Sequence, residues 1–169
     1  MRYSDSPTTE VEVEINASPE RVWQLISDIS LPAKFSPEFQ GAIWLDGATE
    51  PALGARFEGH NKHPAIGEWT TTSVVTAADP GREFSYAVTD ADSPSASWWF
   101  FIEPNGRGVI LRQKMQIGPG DSGLTPAIKA MPEKEERIIE RRLQEHQANM
   151  QATVEGVKQL AESTHSAGV

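Results

Sequence analysis

The fold is decided near the start of the chain by residues 11–28, VEVEINASPERVWQLISD. Within this stretch, Val11–Asn16 alternates apolar and polar side chains, which predicts a strand with one buried face. A short helix is predicted directly after it, because Ser18 is a good N-cap, Pro19 suits the first helical position and Glu20 complements the positive end of the helix. The chain therefore opens with a strand that is followed at once by a helix.

The far end of the chain is predicted to form one long helix over residues 133–162. Pro132 and the glutamates of the first turn mark its beginning. A helix of this length spans roughly 45 Å, which is enough to cross a curved sheet. One face of the helix carries an apolar stripe with two polar members. Its residues are Ile139, Leu143, His146, Met150, Thr153, Val154, Val157, Leu160 and Ala161.

Strand-like segments and turn signals fill the chain between these two ends. The predicted strands lie at about 40–46, 54–62, 67–78, 82–89, 95–103 and 108–117. Short successive strands joined by tight turns favour an antiparallel meander, with helical turns near 31–37 and 126–131. We expect one domain over residues 1–169, with a core over about 8–162 and loose termini at 1–8 and 163–169. The space between sheet and long helix is where function should be sought.

Composition argues against several classes of function. The chain has 169 residues, 38% of them hydrophobic, and no apolar run approaches the roughly 20 residues of a membrane-spanning helix, so we expect no stable membrane insertion. A net charge of −9 argues against nucleic-acid binding. Arg142 and the other basic residues of the last helix alternate with glutamates, which is typical of a solvated face. The lack of cysteine excludes disulfides and thiolate chemistry, and a cytoplasmic location is the simplest interpretation.

Two neighbouring tryptophans lie in a predicted strand whose alternation separates two aromatic faces. If Glu103 faces water, Trp99 and Phe101 share its face, and Trp98 and Phe100 point inward. The inward pair either packs in an ordinary core or lines an apolar pocket. The outward pair is covered by a partner subunit, by the N-terminal segment or by nothing. We expect partial covering in a two-fold homodimer.

Three polar side chains are candidates for contact with a ligand. Gln113 is flanked by apolar residues on the inward face of its strand, so its amide is bonded to a neighbour or water, or else contacts a ligand. His146 lies in the middle of the apolar stripe, either as a satisfied core residue or as an acid–base group. Asn61 shares a strand face with Phe57 and Gly59, where a glycine allows close approach.

The pair His60 and His63 is a weak metal signal. Residues three apart on a strand point to opposite faces, so one ion cannot easily bind both, and no third ligand is obvious. We therefore expect neither a metal nor another cofactor.

A series of short motifs runs along the chain in a distinctive order. They are Val13–Asp28, Ser36–Glu38, Gly54–Asn61, Val75–Phe84 and Trp98–Gly108, followed by the last helix. Together they resemble the SRPBCC superfamily, the START-like, helix-grip group that includes polyketide cyclase/dehydrase and lipid-transport proteins. The resemblance covers about residues 8–162.

The resemblance implies an α+β fold, the helix-grip fold. In it a seven-stranded antiparallel sheet wraps around a long C-terminal helix, with two short helices closing one end. It also implies a deep apolar cavity between helix and sheet. Members bind lipids, sterols, polyketides, hormones or aromatic compounds, and some are cyclases or dehydratases, so the resemblance brings no catalytic set to this chain.

Three functions fit this scaffold. The first is binding of a hydrophobic small molecule, lipid or polyketide-like, in the internal cavity. The second is a cyclase or dehydratase that uses His146 as acid or base on a carbonyl compound. The third is a protein-interaction or chaperone co-factor module that uses the face around Trp99 and Phe101. The predicted ligand-binding residues are Phe57, Asn61, Trp98, Phe100, Leu111, Gln113, Met115, Met150 and Val154.

Overall fold

A computed structural model describes residues 1–167, with side chains through Ser163. The strands are β1 (Thr8–Ile15), β2 (Phe39–Trp44), β3 (Arg56–His63), β4 (Gly67–Asp79), β5 (Glu83–Val88), β6 (Ala96–Asn105) and β7 (Gly108–Ile117). The α-helices are α1 (Pro19–Ile26), α2 (Leu124–Ala130) and α3 (Glu135–Ala167). Short 3₁₀ turns lie at Tyr3–Asp5, Leu31–Lys34 and Pro132–Lys134.

The strands form one seven-stranded sheet in the order β1-β7-β6-β5-β4-β3-β2, and neighbouring strands are antiparallel. The long helix α3 packs on β1 and β7, and α1 packs against both α3 and β6. This arrangement confirms the predicted α+β helix-grip fold. No helix among residues 1–167 is long and apolar enough to cross a membrane.

The start of α1 follows its sequence signals. The Ser18 hydroxyl accepts a hydrogen bond from the Arg21 backbone N–H at 3.1 Å, as an N-cap does, and Pro19 occupies the first turn. The helix ends at Ile26, two residues before Asp28. The Asp28 carboxylate instead accepts from the Ser30 N–H at 3.0 Å, which begins the next turn.

The predicted inward faces are confirmed by burial. On β6 and β7, Phe100 lies opposite Gln113 and Ile102 lies opposite Leu111, and all four side chains are buried. Most of the predicted stripe on α3 is also buried, with Leu143 and Leu160 half-buried at its edges. The buried members are Ile139, His146, Met150, Thr153, Val154, Val157 and Ala161.

The N-terminal segment is joined to the rest of the fold through Tyr3. The Tyr3 hydroxyl donates a hydrogen bond to the Gly120 carbonyl oxygen at 2.5 Å, which ties the N-terminal segment to the loop after β7. The predicted loose tail over 163–169 falls partly outside the described residues, which end at 167.

A glycine on α3 allows the turn after α1 to pack closely on the helix. A Cβ atom at Gly156 would overlap the ring of Phe35, the residue that ends the Leu31–Lys34 turn. The close approach holds this turn against α3. Pro32, within the turn, and Ile29, just before it, line the cavity described below.

We expect Gly156→Ala to lower the free energy of unfolding by about 1–3 kcal/mol, because overpacking outweighs the roughly 1 kcal/mol gain in helix propensity. Denaturant unfolding measures the change. The control is the same substitution in a Phe35→Ala background, where the methyl group has room and should stabilise the helix. Equal effects in both backgrounds would contradict the packing argument.

Candidate functional site

Two adjoining chambers lie between residues 142–153 of α3 and the inner face of the sheet. The inner chamber has a volume of about 120 Å³ and extends towards the Leu31–Lys34 turn. The outer chamber has a volume of about 450 Å³ and reaches the β3–β4 turn and the start of α2. The residues that line both are Glu38, Asn61, Thr71, Val88, Trp98 and His146.

Most of the predicted site residues meet in these chambers. The inner chamber is lined by Phe57, Asn61, Trp98, Phe100, Gln113, His146 and Met150, and the outer chamber by Met115 in addition to the shared residues. Leu111 and Val154 line neither chamber. Both are 0% exposed and lie in the core.

Aromatic rings form the wall of the inner chamber opposite α3. Phe57 lies edge-to-face with Trp44 and with Tyr86, at ring-centre distances of 5.5 and 5.0 Å. Phe84 continues this row, 5.6 Å from Tyr86. Such edge-to-face pairs stabilise a rigid apolar wall. A hydrophobic molecule that enters the chamber therefore meets a surface that is already arranged.

Gln113 is the buried polar group in this wall whose hydrogen bonding is incomplete. Its side chain is 5% exposed, and its Oε1 atom has no hydrogen-bond partner among the described residues. A buried polar atom without a partner costs about 1–3 kcal/mol. Gln113 also lines the inner chamber, so its amide is a polar group that a ligand would meet there.

His146 is buried but not sealed off, since it lines both chambers. Its ring lies edge-on to Trp98, with centres 5.3 Å apart. Burial above all, and then the electrostatic effect of Arg142 and of His63, lower the pKa of His146 to about 3. The imidazole is neutral near pH 7, yet it is a much weaker base than free imidazole.

Tyr86 is a site residue that the sequence reasoning missed. Phe84, Tyr86 and Val88 alternate along β5 and all line the inner chamber, so the alternation of the predicted strand could have revealed it. Burial raises the pKa of Tyr86, which keeps the phenol protonated and able to donate. The inner chamber is therefore lined by a phenol as well as by the Gln113 amide.

A buried ion pair stands at the boundary between the two chambers. The Arg142 guanidinium donates to both carboxylate oxygens of Glu38, at 2.7 and 2.8 Å, and each side chain is 11% exposed. Arg142 also lies 3.8 Å from Glu145, whose other oxygen contacts His63 Nε2 at 2.6 Å. The prediction that Arg142 belongs to a solvated face is wrong, because Glu38 draws its guanidinium into the cavity wall.

The two histidines of the weak metal signal have different partners. His60 Nε2 lies 3.2 Å from Glu58, whereas His63 contacts Glu145. Among the residues that the structure describes, no cluster of three metal-ligating side chains is found.

The outward face of β6 is covered in part by its own neighbour strand. Trp99 and Phe101 are both half-buried, and the Lys114 ammonium lies 5.3 Å from the centre of the Trp99 ring. The partner subunit expected on this face stays a prediction.

Comparison with known proteins places this chain in a family. Residues 6–155 match the family described as "Polyketide cyclase / dehydrase and lipid transport". The chain belongs to this family. The resemblance to the SRPBCC superfamily is thereby confirmed over nearly the whole chain, and with it the type of fold. No curated protein matches this chain in sequence.

Solved structures extend the comparison. The Polyketide_cyc-like protein Cgl2372 from Corynebacterium glutamicum is 28% identical, with a TM-score of 0.66 over 92% of this chain and 91% of that one. The di-domain ARO/CYC StfQ from the steffimycin biosynthetic pathway has a TM-score of 0.70 at 17% identity, over 96% of this chain and 52% of StfQ. Ara h 8.0201 has a TM-score of 0.56 at 14% identity, over 89% and 97%. The last two likenesses show the fold alone.

The buried neutral imidazole of His146 predicts how stability depends on pH. In the unfolded chain a histidine has a pKa of about 6.5, so between there and the folded value of about 3 the unfolded state binds the extra proton. The stabilising effect is complete above the unfolded pKa and is lost as pH falls towards the folded value. The free energy of unfolding should fall by about 1.4 kcal/mol per pH unit from this group alone.

Urea unfolding at several pH values compares the native protein with His146→Gln, in which this part of the slope should vanish. The control is His60→Gln, which removes an exposed imidazole and should retain the native slope. An unchanged slope in His146→Gln would show that the imidazole is not buried as a neutral group.

Proposed function

We propose that this protein binds a hydrophobic small molecule, lipid or polyketide-like, in the two chambers between the sheet and α3. The observation that carries the proposal is the unpartnered oxygen of Gln113 in the wall of an aromatic chamber. An apolar wall with a few convergent polar groups is the usual composition of a small-molecule site. A filled core would not keep such an oxygen unsatisfied.

Removal of apolar surface from water supplies most of the binding free energy. The aromatic row of Phe57, Tyr86 and Phe84 and the ring of Trp98 offer this surface, at roughly 25 cal/mol for each Å² that is buried. Gln113, Asn61 and His146 then fix the polar end of the ligand, together with the Tyr86 hydroxyl. Membership of the family supports the same class of ligand.

Catalysis of the cyclase or dehydratase kind is the second candidate. His146 reaches the chamber without a hydrogen-bond partner among the described residues, and Gln113, Asn61 and Tyr86 line the same chamber, which an acid–base site requires. The low pKa of His146 weighs against it, because an efficient general base has a pKa near the working pH. Binding without turnover is therefore the function that we favour.

The proposal is tested by native mass spectrometry of the protein after exposure to an extract of its source organism. We expect one compound to be retained at a defined stoichiometry, and its mass separates lipids from aromatic compounds. No retained compound, with the protein folded throughout, would contradict the proposal.

With that compound, Gln113→Leu should weaken binding by about 0.5–1.5 kcal/mol, the contribution of one hydrogen bond, while the fold is kept. Isothermal titration calorimetry measures the loss. Gln116→Leu is the matched control, because Gln116 lies on the same strand but its amide bonds outside the cavity, to the Gly118 carbonyl oxygen. Equal affinities in all three proteins would remove Gln113 from the binding site.

Catalysis by His146 predicts that its substitution lowers the turnover rate. If the retained compound is converted, His146→Ala should lower turnover by roughly a hundredfold or more, as expected for a general base. Gln113→Leu should then affect affinity more than turnover. Product formation that survives in His146→Ala would eliminate the imidazole as the base.

A further inference from the structure

The charges around the cavity point to the chemical class of its ligand. Among the described residues that line the two chambers, Arg142 is the one fixed cation, whereas Asp28, Glu38 and Asp121 supply carboxylates. We propose that the ligand presents an uncharged hydroxyl group to Gln113, and that the Glu38–Arg142 ion pair makes the cavity reject carboxylates. This inference rests on the proposed function, because it describes the polar end of a molecule held in this cavity.

The positive charge of Arg142 is already matched by carboxylates of the protein. Both terminal nitrogens of its guanidinium are held by Glu38, at 2.7 and 2.8 Å, and Glu145 lies 3.8 Å away. Because both partners are 11% exposed, water screens the pair little. The guanidinium keeps further N–H donors, but an incoming carboxylate would have to share Arg142 with Glu38 and Glu145, whose negative charges would repel it. Three carboxylates around one cation would leave negative charge without a counter-charge in a largely buried place, which is unfavourable.

His146 does not supply a second cation near neutral pH. Burial and the neighbouring Arg142 keep its imidazole uncharged. A carboxylate placed beside it would lose its hydration without gaining an ion pair. A neutral polar group loses far less on entering the same space.

Gln113 favours a hydrogen-bond donor in the inner chamber. Its Oε1 atom is an acceptor without a partner, and a carboxylate, which has only acceptors, would be repelled by it. A hydroxyl group donates to this oxygen. Tyr86, which lines the same chamber, can donate to the hydroxyl oxygen.

Two pairs of probes, matched in shape, test the inference on the full chain. The pairs are 2-naphthol with 2-naphthoate, and 1-decanol with decanoate, each titrated by calorimetry at neutral pH. We expect each hydroxyl compound to bind at least about tenfold more tightly than its carboxylate. Carboxylates that bind as tightly as the hydroxyl compounds would overturn the inference and leave the proposed function standing. Binding of no probe from either pair would contradict both.

Variants assign the selectivity to the ion pair. Glu38→Gln frees the Arg142 guanidinium, so the affinity for carboxylates should rise. The ratio of the affinity for a hydroxyl compound to that for its carboxylate should fall by at least about tenfold. Asp121→Asn is the matched control, because it removes one carboxylate from the outer wall and leaves the pair intact. The double variant Glu38→Gln/Arg142→Gln, which has no guanidinium, should lose the affinity for carboxylates again.

Circular dichroism shows whether each variant folds. If Glu38→Gln does not fold, the preference of the unaltered protein still decides between the two classes of probe. Equal changes in Glu38→Gln and Asp121→Asn would show that overall charge sets the preference, and would overturn the role given to the ion pair.

Discussion

Three side-chain contacts connect α3 to parts of the chain beyond β1 and β7, and the cavity depends on these contacts. The helix itself packs on β1 and β7. Beyond those strands, Arg142 reaches Glu38, Glu145 reaches His63, and His146 reaches Trp98. Each contact spans the gap at one point and leaves the space beside it open. A continuous apolar stripe at this part of α3 would instead draw the sheet in and fill the cavity.

The ion pair between Glu38 and Arg142 is not a simple source of stability. Burial of two charges costs a large part of their attraction, so a well-packed apolar pair of similar volume is often as stable. Its geometry fixes a definite arrangement, because a bidentate guanidinium–carboxylate pair has one preferred orientation. The segment before β2 is thereby set against α3, between the two chambers. Position and selectivity, rather than stability, are what this interaction provides.

Local patterns predicted the elements and their faces. The cap at Ser18, the alternation around Phe100 and Gln113, and the helical spacing around His146 depend on neighbours in sequence, and all appear where expected. The pattern does not show where along a face the core ends and the cavity begins. Leu111 and Val154 share faces with residues that line the chambers, yet they lie deeper, where the core is filled.

The sequence did not predict which distant side chains form pairs. Glu38 and Arg142 are 104 residues apart, and Arg142 is surrounded on its helix by charged residues that do face solvent. Helical spacing does place Arg142 at the edge of the apolar stripe, three residues after Ile139 and four before His146, but it does not identify Glu38 as the partner. The depressed pKa of His146 was predictable in direction from its place in an apolar stripe, but its size depends on the approach of Arg142 and His63.

The most direct test of the central claim is a crystal structure of the protein with the compound that it retains from its source extract. We expect electron density for the compound between α3 and the inner face of the sheet, with a hydroxyl oxygen about 2.7–3.2 Å from the Gln113 side-chain amide and the Glu38–Arg142 pair intact. Density on the outer face of the sheet, or chambers closed by repacked side chains, would contradict the account.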